Sequence, residues 1–392
     1  MPAESAQRPN LSLLLFWLVG ACLRITVLAV PPAVPLLHGD LHLTEAGIGW
    51  LSSLPPMLFA IAAVPGALII ARFGMQRALM AGLLLAAVGS AARGAYASTA
   101  FLYGATVAMG AGIALVQTVM PPLVRALFPR RIGLATSVYA NGLLVGEIIP
   151  VAVSIPLVLP LLDESWRLDF VAWSAPVLAT ALLVALFTPR NAANAPMNAT
   201  QRRWWPDWRD PLIWRLGFIL GSVNATYFVT NAFLPDLVTA AGRPDLVSSA
   251  LTAINVGQLP ASFLMLPLAD RLVKRPWSYV VTGLLATFCV VAMLLARGYW
   301  VVFWAGALGF IGAVTLIMAL ALPSILGAAD NVHRTTAGMF TVSYSCAMAM
   351  SVLVGWLWDV THRPVVGFAP IALCGLVIAA LASTVRRIDR IQ

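Results

Sequence analysis

Two charged residues lie where hydrocarbon is expected. Arg24 stands 13 residues into the apolar run 11–37, and Glu147 stands 15 residues into the run 132–162. At 1.5 Å per residue these offsets are about 20 Å and about 22 Å, so the two charges share a depth if both runs start on the same side. A charge at the centre of an apolar span costs on the order of 3 kcal/mol even on the lenient insertion scale. Such residues face a bundle interior or a wet cavity and mark function. A guanidinium at that depth can hold an anion or the polar edge of a planar ring. A carboxylate beside it can neutralise the guanidinium or take up a proton, because desolvation favours the neutral acid. Three arrangements are open. The two form a static ion pair that orders their helices; or they form a switch, in which protonation of Glu147 or arrival of an anion frees Arg24 for substrate; or Arg24 binds substrate while Glu147 faces elsewhere. No third charge is expected at this depth.

Uncharged polar residues recur in the same runs. Asn224 and Tyr227 are three residues apart and so share a helical face. Asn141 adds an amide in the fifth run. Each such residue alone more commonly bonds a neighbouring helix. Together Arg24, Gln117, Tyr139, Asn224, Tyr227, Asn255, Gln258 and Tyr344 describe a substrate-binding pocket with one positive charge. It suits a compact anion or a small polar ring, and it lacks the many amides and carboxylates of a sugar site. Glu147 is the candidate for proton coupling. His38, His42, His333 and His362 fall at run ends, too far apart for a metal site, and are expected in solvent. Cys22, Cys289, Cys346 and Cys374 lie singly inside apolar runs without metal-ligand spacing. Gly104, Gly110 and Gly112 read as close-packing or bending positions. No metal, cofactor or catalytic residue is expected.

The elements that must position these groups are apolar throughout. Of 392 residues 60% are apolar and 10% charged, and the mean hydropathy is +0.90. A soluble domain carries roughly 25% charged residues, so this chain has too little polar surface to face water. Disorder is excluded by the same composition. At about 20 residues per crossing, an all-α membrane protein with twelve transmembrane helices fits. The apolar runs are 11–37, 45–71, 78–96, 100–122, 132–162, 166–186, 212–238, 246–269, 277–296, 300–326, 335–358 and 365–385. Pro31, Pro32 and Pro35 weaken the end of the first, and Pro150, Pro156 and Pro160 interrupt the fifth. The expected domains are a tail 1–10, a six-helix bundle 11–187, a linker 188–211, a second six-helix bundle 212–385 and a tail 386–392.

The net charge of +9 follows topology rather than nucleic-acid binding. With the N-terminus inside, 18 of the 24 basic residues fall in inner segments and 5 in outer ones, namely Arg93, Arg167, Arg243, Arg297 and Arg363. Arg24 is the remaining one. This asymmetry sets both termini in the cytoplasm of a bacterial inner membrane.

The chain also repeats itself weakly. The turn Ala71-Arg72-Phe73-Gly74 after the second run matches Ala269-Asp270-Arg271 after the eighth, and Tyr139 in the fifth matches Tyr344 in the eleventh. Two pseudo-symmetric six-helix halves joined by a polar linker are the signature of a repeat-built transporter, with its site between the halves. By this repeat the counterpart of Arg24 falls next to Asn224. The turns resemble the loop motif of the major facilitator superfamily, with Ala71 where the motif has aspartate. The resemblance implies the major facilitator fold and gating roles for Arg72, Asp270 and Arg271. It extends over nearly the whole chain to the cyanate permease and 2-nitroimidazole transporter family. The segments that carry it are Leu23-Arg24, Leu54-Pro55, Gly110-Ala111-Gly112-Ile113 with Gln117-x-x-Met120-Pro121, Asn224-x-x-Tyr227 with Leu234-Pro235, and Gly355-x-Leu357-x-Asp359-x-Thr361.

The reading reached is a secondary active transporter. It moves a small anion or a small polar heteroaromatic compound, cyanate-like or nitroimidazole-like, by alternating access with protons as the candidate coupling ion. Its partners are a small-molecule substrate, protons and the lipid bilayer, with no nucleic acid, and a monomer is expected. The alternative is a multidrug-type exporter of the same fold, against which the lone deep cation argues only for cationic drugs. A membrane enzyme would need a nucleophile with its base, or a metal cluster, at membrane depth. A non-transporting receptor would normally add a soluble signalling domain.

Overall fold

The computed structural model describes residues 9–187, 203–328, 330–361, 363–383 and 385. Residues 1–8 and 386–392 of the expected tails, residues 188–202 of the expected linker, and His362 lie outside the described residues. Among the described residues every regular element is a helix.

Proline placement decides where these helices break. The first apolar run forms α1 (Pro9–Ile25) and α2 (Val30–Leu41), joined by a turn over residues 26–29. In an unbroken helix the N–H of Val30 would bond the carbonyl of Thr26, and the N–H of residue 31 that of Val27. Pro31 has no N–H to give. Val30 N–H turns to Val27 O instead, at 3.3 Å, and Thr26 O leaves the helical ladder. The second run forms α3 (Glu45–Ile61) and α4 (Ala63–Phe73), bent by 51°. Thr44 caps α3 by accepting from Gly47 N–H at 3.2 Å. The bend falls three residues before Pro65, whose ring cannot continue the ladder.

Then come α5 (Met75–Ala92), α6 (Thr99–Leu127), α7 (Ile132–Val153) and α8 (Trp166–Phe187). Gly74 joins α4 to α5 with φ 84°, a conformation open to glycine; this is the glycine of the first basic turn. α7 passes into a π-helical turn at Ser154–Val158, among Pro150, Pro156 and Pro160. After the linker come α9 (Pro211–Ala240), α10 (Val247–Val256), α11 (Gln258–Leu272), α12 (Pro276–Leu295), α13 (Trp300–Leu326), α14 (Val332–Thr361) and α15 (Pro364–Leu381). α10 and α11 break at Gly257, again three residues before a proline, Pro260.

Among the described residues ten helical stretches are long and apolar enough to cross a membrane. The bent α3–α4 pair makes an eleventh, and the shorter apolar helix Val366–Leu381 falls on the twelfth run. Large apolar side chains point outward along them, among them Leu182, Leu186, Leu284, Phe288 and Leu295, as lipid contact requires. This is the all-α fold of twelve membrane helices that the apolar runs implied.

Two compact units divide the chain. One comprises Met1–Pro129 and Val138–Trp205, the other Arg130–Ser137 and Pro206–Gln392. The first turns of α7 fall in the second unit because Asp270 reaches them. Its Oδ1 accepts from Leu134 N–H at 3.2 Å, placing a carboxylate at the positive end of a helix. Ser137 Oγ also donates to Met265 O at 3.3 Å. Small residues close each unit. In the first, a Cβ on Gly112 of α6 would lie 2.5 Å from Ala86 N of α5; in the second, one on Gly283 of α12 would lie 2.4 Å from Gly375 O of α15.

Four expectations change. Arg93, counted as an outer-loop charge, is fully buried, and so is Asp169; Arg93 ends α5 with its side chain turned back into the unit. His333, expected in solvent, is 4% exposed, because it lies in the first turn of α14 on a face buried with Val332, Thr335 and Thr336. Gly104, expected as a close-packing or bending position, has open space where its Cβ would be, which removes the close-packing reading. Arg24 and Glu147, expected as the only charges deep in the spans, are not the only charges buried among the helices.

Candidate functional site

Arg24 and Glu147 meet. Arg24 Nε lies 3.2 Å from Glu147 Oε1, and the two side chains keep 12% and 11% of their surface exposed. The helices below them explain the contact. A Cβ on Gly142 would fall 2.1 Å from Trp17 O, one on Gly146 would fall 2.4 Å from Ala21 O, and one on Gly20 would fall 2.0 Å from Tyr139 O. Three side-chain-free positions thus let α1 and α7 touch backbone to backbone. Residues 17 and 21 pair with 142 and 146, so the helices run parallel, and the next turn brings 24 beside 147. Trp17 Nε1 donates to Asn141 Oδ1 at 2.8 Å and locks the same register. The Arg24 guanidinium also lies 5.8 Å from the Phe59 ring of α3, a cation–π distance. The ion pair is neither fully buried nor in bulk solvent.

The second unit carries a polar cluster of its own. Asn224, Tyr227 and Asn231 lie along one face of α9 at spacings of three and four. Tyr227 Oη donates to Asn255 Oδ1 at 2.9 Å. Asn255 Nδ2 donates to Asn231 Oδ1 at 2.9 Å and to Leu251 O at 2.8 Å, and Asn231 Nδ2 donates back to Tyr227 O at 2.9 Å. The ring of bonds joins α9 to α10 just before the break at Gly257. Past the break, Gln258 is 5% exposed, and its Nε2 has no partner among the described residues. A buried amide donor of this kind calls for an acceptor. Asn224 Nδ2 donates to Ser343 Oγ of α14 at 2.9 Å. Beside Ser343, Tyr344 is buried, stacked on Phe340 with centroids 6.2 Å apart, and 6.4 Å from Phe228.

The structure therefore brings Arg24 to Glu147, and Tyr227 to Asn255. Gln117 in α6 and Tyr139 in α7 are buried in the helices that surround α1 and α3. Arg72 and Arg271 are exposed at helix ends, while Asp270 caps α7. Sequence reasoning missed Asn231 and Ser343. Asn231 was legible as the residue four beyond Tyr227; Ser343, next to Tyr344, carried no signal of its own. Arg93 and Asp169 were also missed.

A family model described as the Major Facilitator Superfamily matches residues 16–325. A "2-nitroimidazole transporter" from Escherichia coli (strain K12) is 26% identical over 367 residues, covering 92% of each chain. "Cyanate transport protein CynX" from the same organism is 26% identical over 382 residues, covering 94% of this chain and 96% of that protein. Among solved structures, the MFS proton:xylose symporter XylE bound to 6-bromo-6-deoxy-D-glucose superposes with a TM-score of 0.75 at 13% identity. That match covers 97% of this chain and 96% of XylE, and it is a likeness of fold.

Proposed function

The chain belongs to the Major Facilitator Superfamily and is a multi-pass membrane transporter of small molecules, not an enzyme, and on that footing we propose that it carries a small anion or a small polar heteroaromatic compound by alternating access. Cyanate and 2-nitroimidazole, named for its relatives, are the solutes to try first. The observation that carries the reading is the part-exposed Arg24–Glu147 pair at 3.2 Å midway along two apolar spans.

Arg24 holds the solute and Glu147 competes for the same guanidinium. Removing one partner from such a pair strands a charge at a cost of about 3–5 kcal/mol. Arg24 therefore exchanges Glu147 for the solute rather than standing bare. A proton on Glu147 favours the exchange, which couples proton and anion. Gln117 and Tyr139 in one half, and Asn224, Tyr227, Asn255, Gln258 and Tyr344 in the other, supply neutral hydrogen-bonding groups for the rest of the solute. Arg72, Asp270 and Arg271 gate access, with Asp270 holding the start of α7. The protein works as a monomer in a bacterial inner membrane, its termini in the cytoplasm and joined by the 188–211 linker between halves 11–187 and 212–385.

The test is proteoliposome transport of cyanate by Glu147→Gln. Accumulation driven by a pH gradient should be lost while counterflow exchange persists. Loss of both would make the pair structural; persistence of both would remove Glu147 from coupling.

A further inference from the structure

A second buried charge bonds the backbone two residues beyond Arg24. Arg93, at the end of α5, is fully buried. Its Nη2 donates to Thr26 O at 2.8 Å and to Ser90 Oγ at 3.0 Å, and its guanidinium stacks 4.2 Å above the Phe170 ring of α8. Asp169, also fully buried, stands beside Phe170 at the start of α8 and accepts from Trp173 Nε1 at 3.0 Å. A buried arginine is costly unless bonded and neutralised; this one is stationed on a specific acceptor. Thr26 O is the carbonyl that Val30 N–H leaves when it turns to Val27 O, whose own donor is missing at Pro31. Two residues earlier, Arg24 O accepts from both Val27 N–H at 3.0 Å and Leu28 N–H at 2.9 Å. Arg24 thus lies in the last turn of α1, held by α7 through Glu147, and Thr26, two residues on, is held by Arg93 at the end of α5.

We propose that Arg93 is a positioning residue: it clasps the proline-made break of the first span at Thr26 O and so sets the direction of Arg24. The surroundings of the clasp are built for this. Ser90 Oγ donates to Phe170 O at 3.3 Å, and Arg167 Nε and Nη2 donate to Gly94 O and Ala95 O at 2.8 and 2.6 Å. The end of α5 is therefore fixed to the start of α8, and Arg93 passes that fixity to the break. A residue that merely filled space would not need a donor on the carbonyl that Val30 N–H leaves behind. The consequence for transport rests on the reading that Arg24 holds the solute; the clasp itself does not.

The experiment uses the full chain, with the four native cysteines replaced and spin labels at Leu14→Cys on α1 and Gly39→Cys on α2, in lipid. Arg93→Met/Asp169→Asn removes both charges together, so neither is stranded. Pro31→Ala/Pro32→Ala restores the N–H groups that let Val30 return to Thr26 O. The charge-free variant should shift and broaden the label-to-label distance distribution, and should have no effect once the prolines are gone, because the clasp then has no carbonyl to hold. If the charge-free variant folds only in the proline-free background, the same dependence is shown. An unchanged distribution, an equal shift in both backgrounds, or failure to fold in both overturns the clasp. Uptake of 2-nitroimidazole by the charge-free variant should show KM raised about tenfold with little change in Vmax, as for a displaced binding group. A shifted distribution with KM unchanged would leave the clasp standing and remove Arg24 from the solute site.

Discussion

Replacing Glu147 with glutamine keeps the side chain's size and removes the charge that Arg24 shares at 3.2 Å. At an effective dielectric of about 20, that separation corresponds to about 5 kcal/mol of gross attraction. Side-chain exposures of 12% and 11% let water screen part of it, and the incoming anion recovers part of the rest. A coupling of about 2 kcal/mol, or about 30-fold in affinity, is the expected remainder. Cyanate should therefore bind Glu147→Gln about 30-fold more tightly than wild type near neutral pH, measured calorimetrically on purified protein. The pH dependence follows with a definite sign. If binding takes up one proton on Glu147, wild-type affinity falls as pH rises, by up to about tenfold per unit. Glu147→Gln, with no proton to take, should show a flat profile. Equal affinities for the two proteins, with both profiles flat, would refute the competition between Glu147 and solute.

Further outcomes follow from the packing and the polar clusters. Gly142→Ala should destabilise the protein by about 1–3 kcal/mol in detergent thermal unfolding, since its Cβ would meet Trp17 O at 2.1 Å, whereas Gly104→Ala, with open space around it, should not destabilise it. Asn255→Leu breaks the bonds to Tyr227 and Asn231; at about 0.6–1.7 kcal/mol for an interhelical hydrogen bond, it should lower the unfolding temperature and raise the KM for 2-nitroimidazole. Asp270→Asn removes a carboxylate from the start of α7, and thermal unfolding should register a loss of about 0.3–1 kcal/mol that shrinks with added salt.

Much of the fold was legible because lipid demands long apolar runs and proline punctuates them. The run 300–326 is α13 to the residue, and Pro31 and Pro32 mark the break in the first span. The depth of Arg24 and Glu147 was also legible, because residue counts convert to distance when two helices run parallel. Arg93 and Asp169 were not. Each lies within a few residues of a helix end, where an arginine between Ala92 and Gly94 looks like a solvated loop charge. Only the third dimension shows that Thr26 O and the Phe170 ring wait for it. The bends at Ala62 and Gly257 had a signal that was not used: Pro65 and Pro260 stand three residues beyond them, in corresponding places of the two halves.

Saturable cyanate binding to folded Arg24→Ala, with Arg24→Lys beside it, tests most directly whether solute meets this guanidinium. The alanine protein should show no saturable binding and the lysine protein a weakened one, because an ammonium keeps the charge but not the forked donors. Binding by Arg24→Ala at wild-type affinity would contradict the assignment.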